Sequence, residues 1–462
     1  MLTYFYYPYG SSIDGFRILN ISDDDNFVFS DEMKVLSYDS LATNRLNIQA
    51  NLLGGGIETW KNKQNGSTIL PFEYEIHASS ADVTLNLDYN TTKRPLILGD
   101  DGYLLQGDSS YTYYYSQTRI DITGNITYNG ITENISGMGW IDRQYGTLNP
   151  SAGTEYEWFS IQLSNDMDIN LWNIFNAQNE IPNDEKFRIF SAYVNDSTQY
   201  TISDFNLERL SYAYMPDSLK CYAQSWRLTS AINNVDLTIT ALYSNSEVQS
   251  PFRFYEGATR ITGSVNGYSV TGVGFVETLH SYEKPDLTLT NDSLWNNSIL
   301  LKWQLNNPDE GNPLHYKLEY KTNNQNNYTL IANNISDTLY NWWSSPSFAD
   351  GDTIDIKLTG FSKDETIQSS ITKQLIYSNA ASVIEVKNEI VSIYPNPAKD
   401  IINITANGLQ KVEIRNIEGK LILTQNSASN STKINVKGLK KGVYFIHVYT
   451  KNKTKVKKVT II

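Results

Sequence analysis

Alternation of apolar and polar residues runs through most of the chain and predicts one strand after another. Apolar side chains occupy every second position over residues 83–89, and the same period of two recurs over 235–239. Residues 157–175 read as a hairpin with its turn within 164–168. The sequence holds no long stretch with the helical period of 3.6. The pattern therefore predicts an all-β protein built from barrels and sandwiches.

An internal repeat indicates that two of these β domains are related. The two copies span residues 118–142 and 259–277. Each begins with Thr-Arg-Ile, passes an Asn-Gly pair and ends in Gly-x-Gly-aromatic-x-acid. Asn-Gly favours the tight turns of antiparallel hairpins, and the later glycines permit a bulge or a close backbone approach. We therefore expect two similar barrels, each able to close its own sheet edges.

The strand predicted over residues 137–146 carries the first candidate chemistry. Because successive side chains of a strand alternate faces, Trp140, Asp142 and Gln144 share one face, and the two glycines before them share the other. If the first face points into a barrel, the carboxylate beside the tryptophan is a candidate site. If that face is solvated, the pair has no special role.

Composition narrows the possible functions. A chain of 462 residues corresponds to roughly three to four domains, and its net charge of −13 argues against a nucleic-acid partner. The sole cysteine, Cys221, is interpreted as a small buried residue. The four histidines are scattered, and no motif supports a metal, nucleotide or flavin cofactor. No run of about 18 apolar residues predicts a transmembrane segment.

Motifs within residues 14–282 resemble the lipocalin-like carotenoid hydratase and AttH-like family. They are "YYYSQTRIDITGNI", "GMGWIDRQYG", "SWRLTSAINNVDLTI" and "FYEGATRITGSVNGYSVTGVGFVETLHSY", in that order. The resemblance implies two consecutive lipocalin-like barrels. The family includes carotenoid hydratases, which add water across an isolated double bond, and fungal relatives that hydrate a prenyl group or assist cyclisations.

The same resemblance implies roles for residues of the second motif. In the hydratases, the aspartate that matches Asp142 is the proposed proton donor to the alkene, and nearby aromatic residues shelter the cation. The family commonly has His and Trp where this sequence has Arg143 and Tyr145. Arg143 faces away from Asp142 in a regular strand, whereas a bulge that turned it inward would lower the pKa of the acid. The family's opening strands have no counterpart, so we expect the first barrel to be incomplete or differently closed.

Buried beside an apolar ring, Asp142 would have a raised pKa and could act as a general acid near neutral pH. The expected substrate-binding residues around it are Trp140, Tyr113, Tyr115, Gln144, Phe275 and Glu277. The structural alternatives are a strand-tying carboxylate at Asp142, tyrosines that fill the barrel, and Glu277 as an ion-pair partner of Arg119 or Arg260. The two arginines are expected in buried ion pairs, and breaking one costs about 3–5 kcal/mol.

The remainder of the chain resembles two further β modules. Residues 285–380, with alternating aromatic positions, resemble a fibronectin type III-like sandwich. Residues 391–462, which include "VSIYPNPAKDIINIT" and "LKKGVYFIHVYTKNKTKVKKVTII", resemble the sorting domain of type IX secretion in the Bacteroidetes. That resemblance implies export, yet the N-terminus does not read as a signal peptide. We interpret the sequence as truncated at its start; the alternative is a decayed gene whose product stays in the cytoplasm.

The sequence thus predicts a first lipocalin-like barrel over 1–152, a second over 153–284, a fibronectin type III-like domain over 285–380 and a sorting domain over 385–462. The expected function is that of a secreted or cell-surface protein that binds or acts on an apolar, isoprenoid-like or lipid-like molecule. As an enzyme it would be a hydratase or hydrolase without a cofactor or metal, using an acid in the barrel. The alternative is a non-catalytic carrier or adhesion protein. The expected partners are the apolar ligand and the type IX machinery.

Overall fold

The computed structural model describes residues 2–6, 15–22, 28–41, 45–53, 56–79, 82–147, 152–249, 253–295, 299–342, 347–378, 391–417, 419–427, 429–451 and 454–462. Strands dominate these residues, as the alternation predicts, and a short 3-10 turn lies at Ile232–Asn234. Within this part of the chain, no helix has the length and hydropathy of a membrane span. The all-β prediction is therefore confirmed.

The first sheet has eleven strands, all paired antiparallel. They are β1 (Leu2–Tyr6), β2 (Gly15–Ser22), β3 (Val28–Leu41), β4 (Asn47–Leu52), β5 (Ile57–Asn65), β6 (Thr68–Ser79), β7 (Val83–Thr91), β8 (Leu96–Ile97), β9 (Tyr103–Gln106), β10 (Ser110–Tyr128) and β11 (Ile131–Thr147). Their order is β1-β2-β3-β4-β5-β6-β7-β10-β11, and β8 and β9 pair with the first half of β10. The alternating apolar residues of β6 and β7 form its core.

The second sheet has ten strands in the order β15-β14-β13-β12-β21-β20-β18-β17-β16, with β19 beside β20. They are β12 (Glu155–Leu163), β13 (Asp168–Phe175), β14 (Arg188–Asn195), β15 (Thr198–Ile202), β16 (Asn206–Tyr214), β17 (Cys221–Ser230), β18 (Val235–Ala241), β19 (Glu247–Val248), β20 (Phe254–Val265) and β21 (Tyr268–Thr278). Strands from both ends of this order contribute to one buried core, so the sheet wraps around it as a barrel does. Cys221 is buried there, as predicted.

The repeated hairpins are β10–β11 and β20–β21. Asn129 and Asn266 have φ of 50° and 52°, and the glycine after each is also at positive φ, as the Asn-Gly turn requires. The two hairpins differ at one point. β10 has a register irregularity between Gln117 and Ile120, whereas β20 pairs with β21 without a shift. The irregularity adds one residue to β10, and this reverses which of its side chains share a face with Trp140 and Asp142.

Eight shorter strands follow as a sandwich of two sheets, ordered β22-β24-β27 and β23-β29-β28-β25-β26, around a common core. They are β22 (Leu287–Leu289), β23 (Leu294–Trp295), β24 (Ile299–Leu305), β25 (His315–Thr322), β26 (Thr329–Ile335), β27 (Leu339–Trp342), β28 (Thr353–Phe361) and β29 (Gln368–Ser378). The sandwich agrees with the predicted fibronectin type III-like fold. Residues 1–379 form one compact unit.

Residues 380–462 form a second compact unit. Its strands are β30 (Ser392–Tyr394), β31 (Ile401–Thr405), β32 (Leu409–Arg415), β33 (Leu421–Asn426), β34 (Ser431–Asn435), β35 (Gly442–Thr450) and β36 (Thr454–Ile461). The sheets β30-β31-β34 and β33-β32-β35-β36 enclose a small apolar core. The linker expected between 380 and 385 lies outside the described residues, and the predicted four-domain boundaries stay a prediction.

Candidate functional site

Asp142 lies on β11, directly opposite Ser116 on β10. Its Oδ1 accepts hydrogen bonds from Ser116 Oγ at 2.6 Å and from Trp140 Nε1 at 2.9 Å. Both bonds favour the ionised carboxylate, yet burial outweighs them and raises the pKa of Asp142 to about 6. The predicted pairing of this carboxyl with the neighbouring tryptophan therefore exists as a direct contact.

A second layer of polar groups comes from the other sheet. Asn170, on β13, donates from Nδ2 to Tyr114 OH at 2.9 Å and to Ser116 Oγ at 3.1 Å. Tyr114 also interacts with Asp142, and burial raises the pKa of its hydroxyl well above the usual range, so the hydroxyl stays protonated. Because Asn170 belongs to the second sheet, the Asp142 face lies between the two sheets. The expectation of an acid inside a barrel is thus refined to an acid at the contact of two curved sheets.

Aromatic rings surround this polar cluster. A single apolar cluster contains side chains from both sheets, among them Trp140, Tyr114, Tyr156, Trp158, Trp172 and Phe275. The ring centroids of Tyr156 and Trp172 lie 5.0 Å apart, and those of Trp158 and Trp172 lie 6.4 Å apart. Electron-rich ring faces in a dry environment stabilise a neighbouring cation by cation–π attraction. The arrangement places several aromatic rings beside a carboxylic acid.

The second copy of the repeat contributes its own acid to the same region. Glu277 pairs across the hairpin with Glu256, and Tyr156 OH donates to Glu277 Oε1. Burial raises the pKa of both glutamates, and the charge of Asp142 raises that of Glu277 further. The aromatic and acidic residues of both glycine motifs therefore converge between the sheets.

Three predicted lining residues lie away from this cluster. Tyr113 is 43% exposed and its ring stacks on that of Tyr145 at 5.3 Å, on the opposite face of the strand. Tyr115 pairs with Arg143 on that opposite face, where both act electrostatically on Tyr74 of the first sheet's core. Gln144 has the predicted parity but lies on the exposed part of β11, where it donates to Gln106 Oε1 at 3.0 Å.

The arginines of the two Thr-Arg-Ile segments have different environments. Arg119 Nε lies 2.8 Å from Asp168 Oδ1, and Lys93 Nζ lies 3.0 Å from Asp168 Oδ2, so the expected buried ion pair exists. Arg260 is exposed, so the expectation of a buried pair is wrong there. The register irregularity in β10 turns Arg119 toward the second sheet, and β20 lacks that irregularity. Glu277 pairs with Tyr156 and Glu256, not with either arginine.

Sequence reasoning missed Tyr114, Ser116, Asn170 and Glu256. The register shows a signal that leads to two of them: the residue paired with each motif acid is Ser116 for Asp142 and Glu256 for Glu277. Counting across the Asn-Gly turn from Glu277 finds Glu256, whereas the same count from Asp142 reaches Gln117, and the irregularity in β10 moves the true partner by one residue to Ser116. Asn170 cannot be found in this way because it reaches the site from a strand of the other sheet.

A comparison with protein families identifies the family of the residues that form this site. The chain belongs to the AttH-like family, which it matches over residues 16–282. No curated protein matches the chain.

Solved structures of similar fold include an AttH protein of Nitrosomonas europaea, with 16% identity, a TM-score of 0.49 and coverage of 60% of this chain and 85% of that one. Another is kievitone hydratase from Nectria haematococca, with 16% identity, a TM-score of 0.47 and coverage of 60% and 82%. Fibronectin(III)-like modules of Clostridium thermocellum CbhA match at 13% identity and a TM-score of 0.16, covering 38% of this chain and 93% of theirs.

The C-terminal unit is identified separately. Residues 392–462 match the secretion system C-terminal sorting domain, which confirms the type IX sorting prediction. The protein is therefore a secreted or cell-surface protein, and its tail implies the secretion machinery as a partner.

Proposed function

We propose that this protein is a cofactor-free hydratase that protonates a carbon–carbon double bond in an apolar, isoprenoid-like molecule, with Asp142 as the acid. The observation that supports the proposal is the environment of that carboxyl, which combines a pKa of about 6 with a surrounding of aromatic rings. At pH 7 about a tenth of such carboxyls carry a proton, which suits a general acid working near neutrality. The AttH-like membership agrees with this chemistry.

The proposed reaction begins when the π electrons of the alkene take the proton from Asp142, which forms a C–H bond and leaves a carbocation and a carboxylate. The rings of Trp140, Trp158 and Trp172 stabilise the cation. Water then adds to the cation and gives up a proton, so the product is an alcohol. Apolar rings select the substrate class, because they offer an alkene a favourable environment and a polar molecule few hydrogen-bond partners.

A non-catalytic carrier is the second candidate, and a pocket elsewhere between the two large sheets favours it. This pocket of about 330 Å³ is lined by Met138, Leu163 and Ile261, with Arg119 and Arg260 among the remaining lining residues. It accepts an apolar molecule without involving Asp142. The two candidates differ in whether the acid changes the bound molecule.

The test compares the full chain with Asp142→Asn against a panel of isoprenoid alkenes and their esters. Products are detected by mass spectrometry, and binding is followed by quenching of tryptophan fluorescence. The proposal predicts a loss of about two to four decades in rate with little change in affinity. Asp121→Asn, which changes an exposed aspartate on β10, is the matched control and retains full activity. Equal binding with no turnover by either protein favours the carrier.

A further inference from the structure

Glu256 is a buried acid that the mechanism above does not use. Its side chain is only 3% exposed, and neither of its carboxyl oxygens has a hydrogen-bond donor within the described part of the structure. It lies opposite Glu277 on the neighbouring strand. An ionised carboxylate in that position would lose its hydration without gaining a hydrogen-bond donor, and such a group tends to be neutral instead.

The two glutamates differ in what they receive. Glu277 accepts a hydrogen bond from Tyr156 OH, whereas the hydrogen-bonding partner of the Glu256 carboxyl among the described residues is Glu277. Two buried carboxyl groups side by side cannot both ionise, so they share one proton. Since only Glu277 has an independent donor, the proton stays on Glu256, whose O–H donates to the Glu277 carboxylate. Burial and the neighbouring charge of Glu277 raise the pKa of Glu256 well above its usual range, in agreement with this assignment.

The titratable groups that act on Glu277 lie on three different strands. Asp142 on β11 acts through its charge, Tyr156 on β12 through its hydroxyl, and Glu256 on β20 through its carboxyl group. Two negative charges at Asp142 and Glu277 would repel each other. These two groups are therefore most stable with one carboxyl protonated, as an acid requires, and the other ionised, as a base requires. The pair of glutamates is also the counterpart of Ser116 and Asp142 in the repeat, where a protonated donor again faces the motif acid.

We propose that Glu277 is the base that accepts the proton of the attacking water, and that Glu256 is a positioning residue whose hydrogen bond keeps Glu277 ionised. This inference rests on the proposed hydratase function. In the second half of the reaction the water oxygen forms the C–O bond with the cation, and one of its O–H bonds breaks. That proton goes to Glu277, while the proton on the new C–H bond came from Asp142. The cycle closes when Glu277 releases a proton to bulk water and Asp142 takes one up.

The shared proton is tested first, without any ligand. The full chain is labelled with carbon-13 in its glutamate carboxyl groups, and infrared spectra are recorded at about pH 8, where exposed glutamates are ionised. The wild type is expected to show the band of a protonated glutamic acid, and Glu256→Gln to lose it. Glu133→Gln, which changes an exposed glutamate on β11, retains the band. A wild type without the band, or a band that survives Glu256→Gln, overturns the proposal.

The base role is tested on an alkene that the wild type converts and Asp142→Asn does not. Glu277→Gln is expected to lose at least about two decades of rate. Glu256→Gln is expected to change the rate only a few-fold, since its amide still donates to Glu277. Glu256→Leu removes the donor, so the pKa of Glu277 rises and the acid limb of the pH–rate profile moves to higher pH.

The outcomes separate the two proposals. A full rate in Glu277→Gln, with loss in Asp142→Asn, overturns the base role and leaves the hydratase function standing. An acid limb that is unchanged in folded Glu256→Leu overturns the positioning role. Absence of turnover from every alkene overturns the hydratase function and the base role together, whereas the infrared result alone then decides the shared proton.

Discussion

Replacing Asp142 by Asn is predicted to stabilise the protein at neutral pH while it removes the proposed acid. Burial raises the pKa of this carboxyl from 3.8 to about 6, so the folded state disfavours the charged form. A shift of about two pKa units corresponds to about 3 kcal/mol of unfolding free energy at pH 7. The side chain is only partly buried, and solvent screening reduces the expected gain to about 1–2 kcal/mol. Asn keeps an oxygen that accepts from Ser116 and Trp140.

The sign of the pH dependence follows from the direction of the shift. The pKa of Asp142 is higher in the folded than in the unfolded state, so ionisation of this carboxyl destabilises the fold. This loss of unfolding free energy is absent below about pH 4, grows between about pH 4 and 6, and is complete above that range. The difference between Asn variant and wild type should therefore be near zero at about pH 4 and favour the variant at pH 7. Denaturant unfolding followed by tryptophan fluorescence measures it at both pH values.

The matched control applies the same substitution to a carboxyl with the opposite role. Burial raises the pKa of Asp168 too, but this carboxylate is fully buried and balances the charges of Lys93 and Arg119, so Asp168→Asn leaves two cations without their counter-ion. That variant should lose about 3 kcal/mol. If Asp142→Asn instead loses more than about 1 kcal/mol at both pH values, Asp142 is a structural brace that holds Ser116 and Trp140, and the reasoning that makes it an acid is refuted.

Two further predictions concern the rest of the chain. His280 is 1% exposed and bridges Glu155 and Asp309, both at 2.9 Å, and these partners raise its pKa to about 9 against the opposing effect of burial. A raised histidine pKa stabilises the fold below about pH 6.5, and this effect is lost as the pH passes about 9. His280→Gln should therefore lower the thermal midpoint at pH 6 by more than at pH 10, and the lost stabilisation is up to about 3 kcal/mol. A difference that does not depend on pH contradicts this. Deletion of residues 391–462 should leave the remaining unit folded by circular dichroism and abolish export of a signal-peptide fusion from a type IX-secreting host, and equal export of both forms contradicts it.

Much of the local structure follows from the sequence, because it depends on neighbours along the chain. A period of two places apolar residues on one face of a strand, so 83–89 and 235–239 became strands with buried alternate positions. Asn-Gly adopts positive φ at little cost, and both repeats turn there. The parity of residues 140–144 is equally local, which is why Asp142 and Trp140 were correctly placed on one face.

Parity failed where β10 departs from a regular register. Alignment of the Thr-Arg-Ile segments places Glu256 against Tyr115, but the irregularity between Gln117 and Ile120 shifts the count, and Glu256 is matched instead by Ser116. The same shift puts Tyr114 rather than its two neighbours toward Asp142. A bulge adds one residue to one strand alone, and its position depends on pairing with a distant strand, which the local pattern does not carry.

The convergence of the site was decided by tertiary structure alone. The sequence determined that each repeat ends in an aromatic residue and an acid, and that each belongs to a curved antiparallel sheet. Packing of one sheet against the other brought Asp142 and Glu277 into one environment and added Asn170 as a donor to Ser116. Burial also decided their protonation, because the raised pKa values arise from desolvation by side chains that come from several separate strands, a quantity that no single stretch of sequence contains.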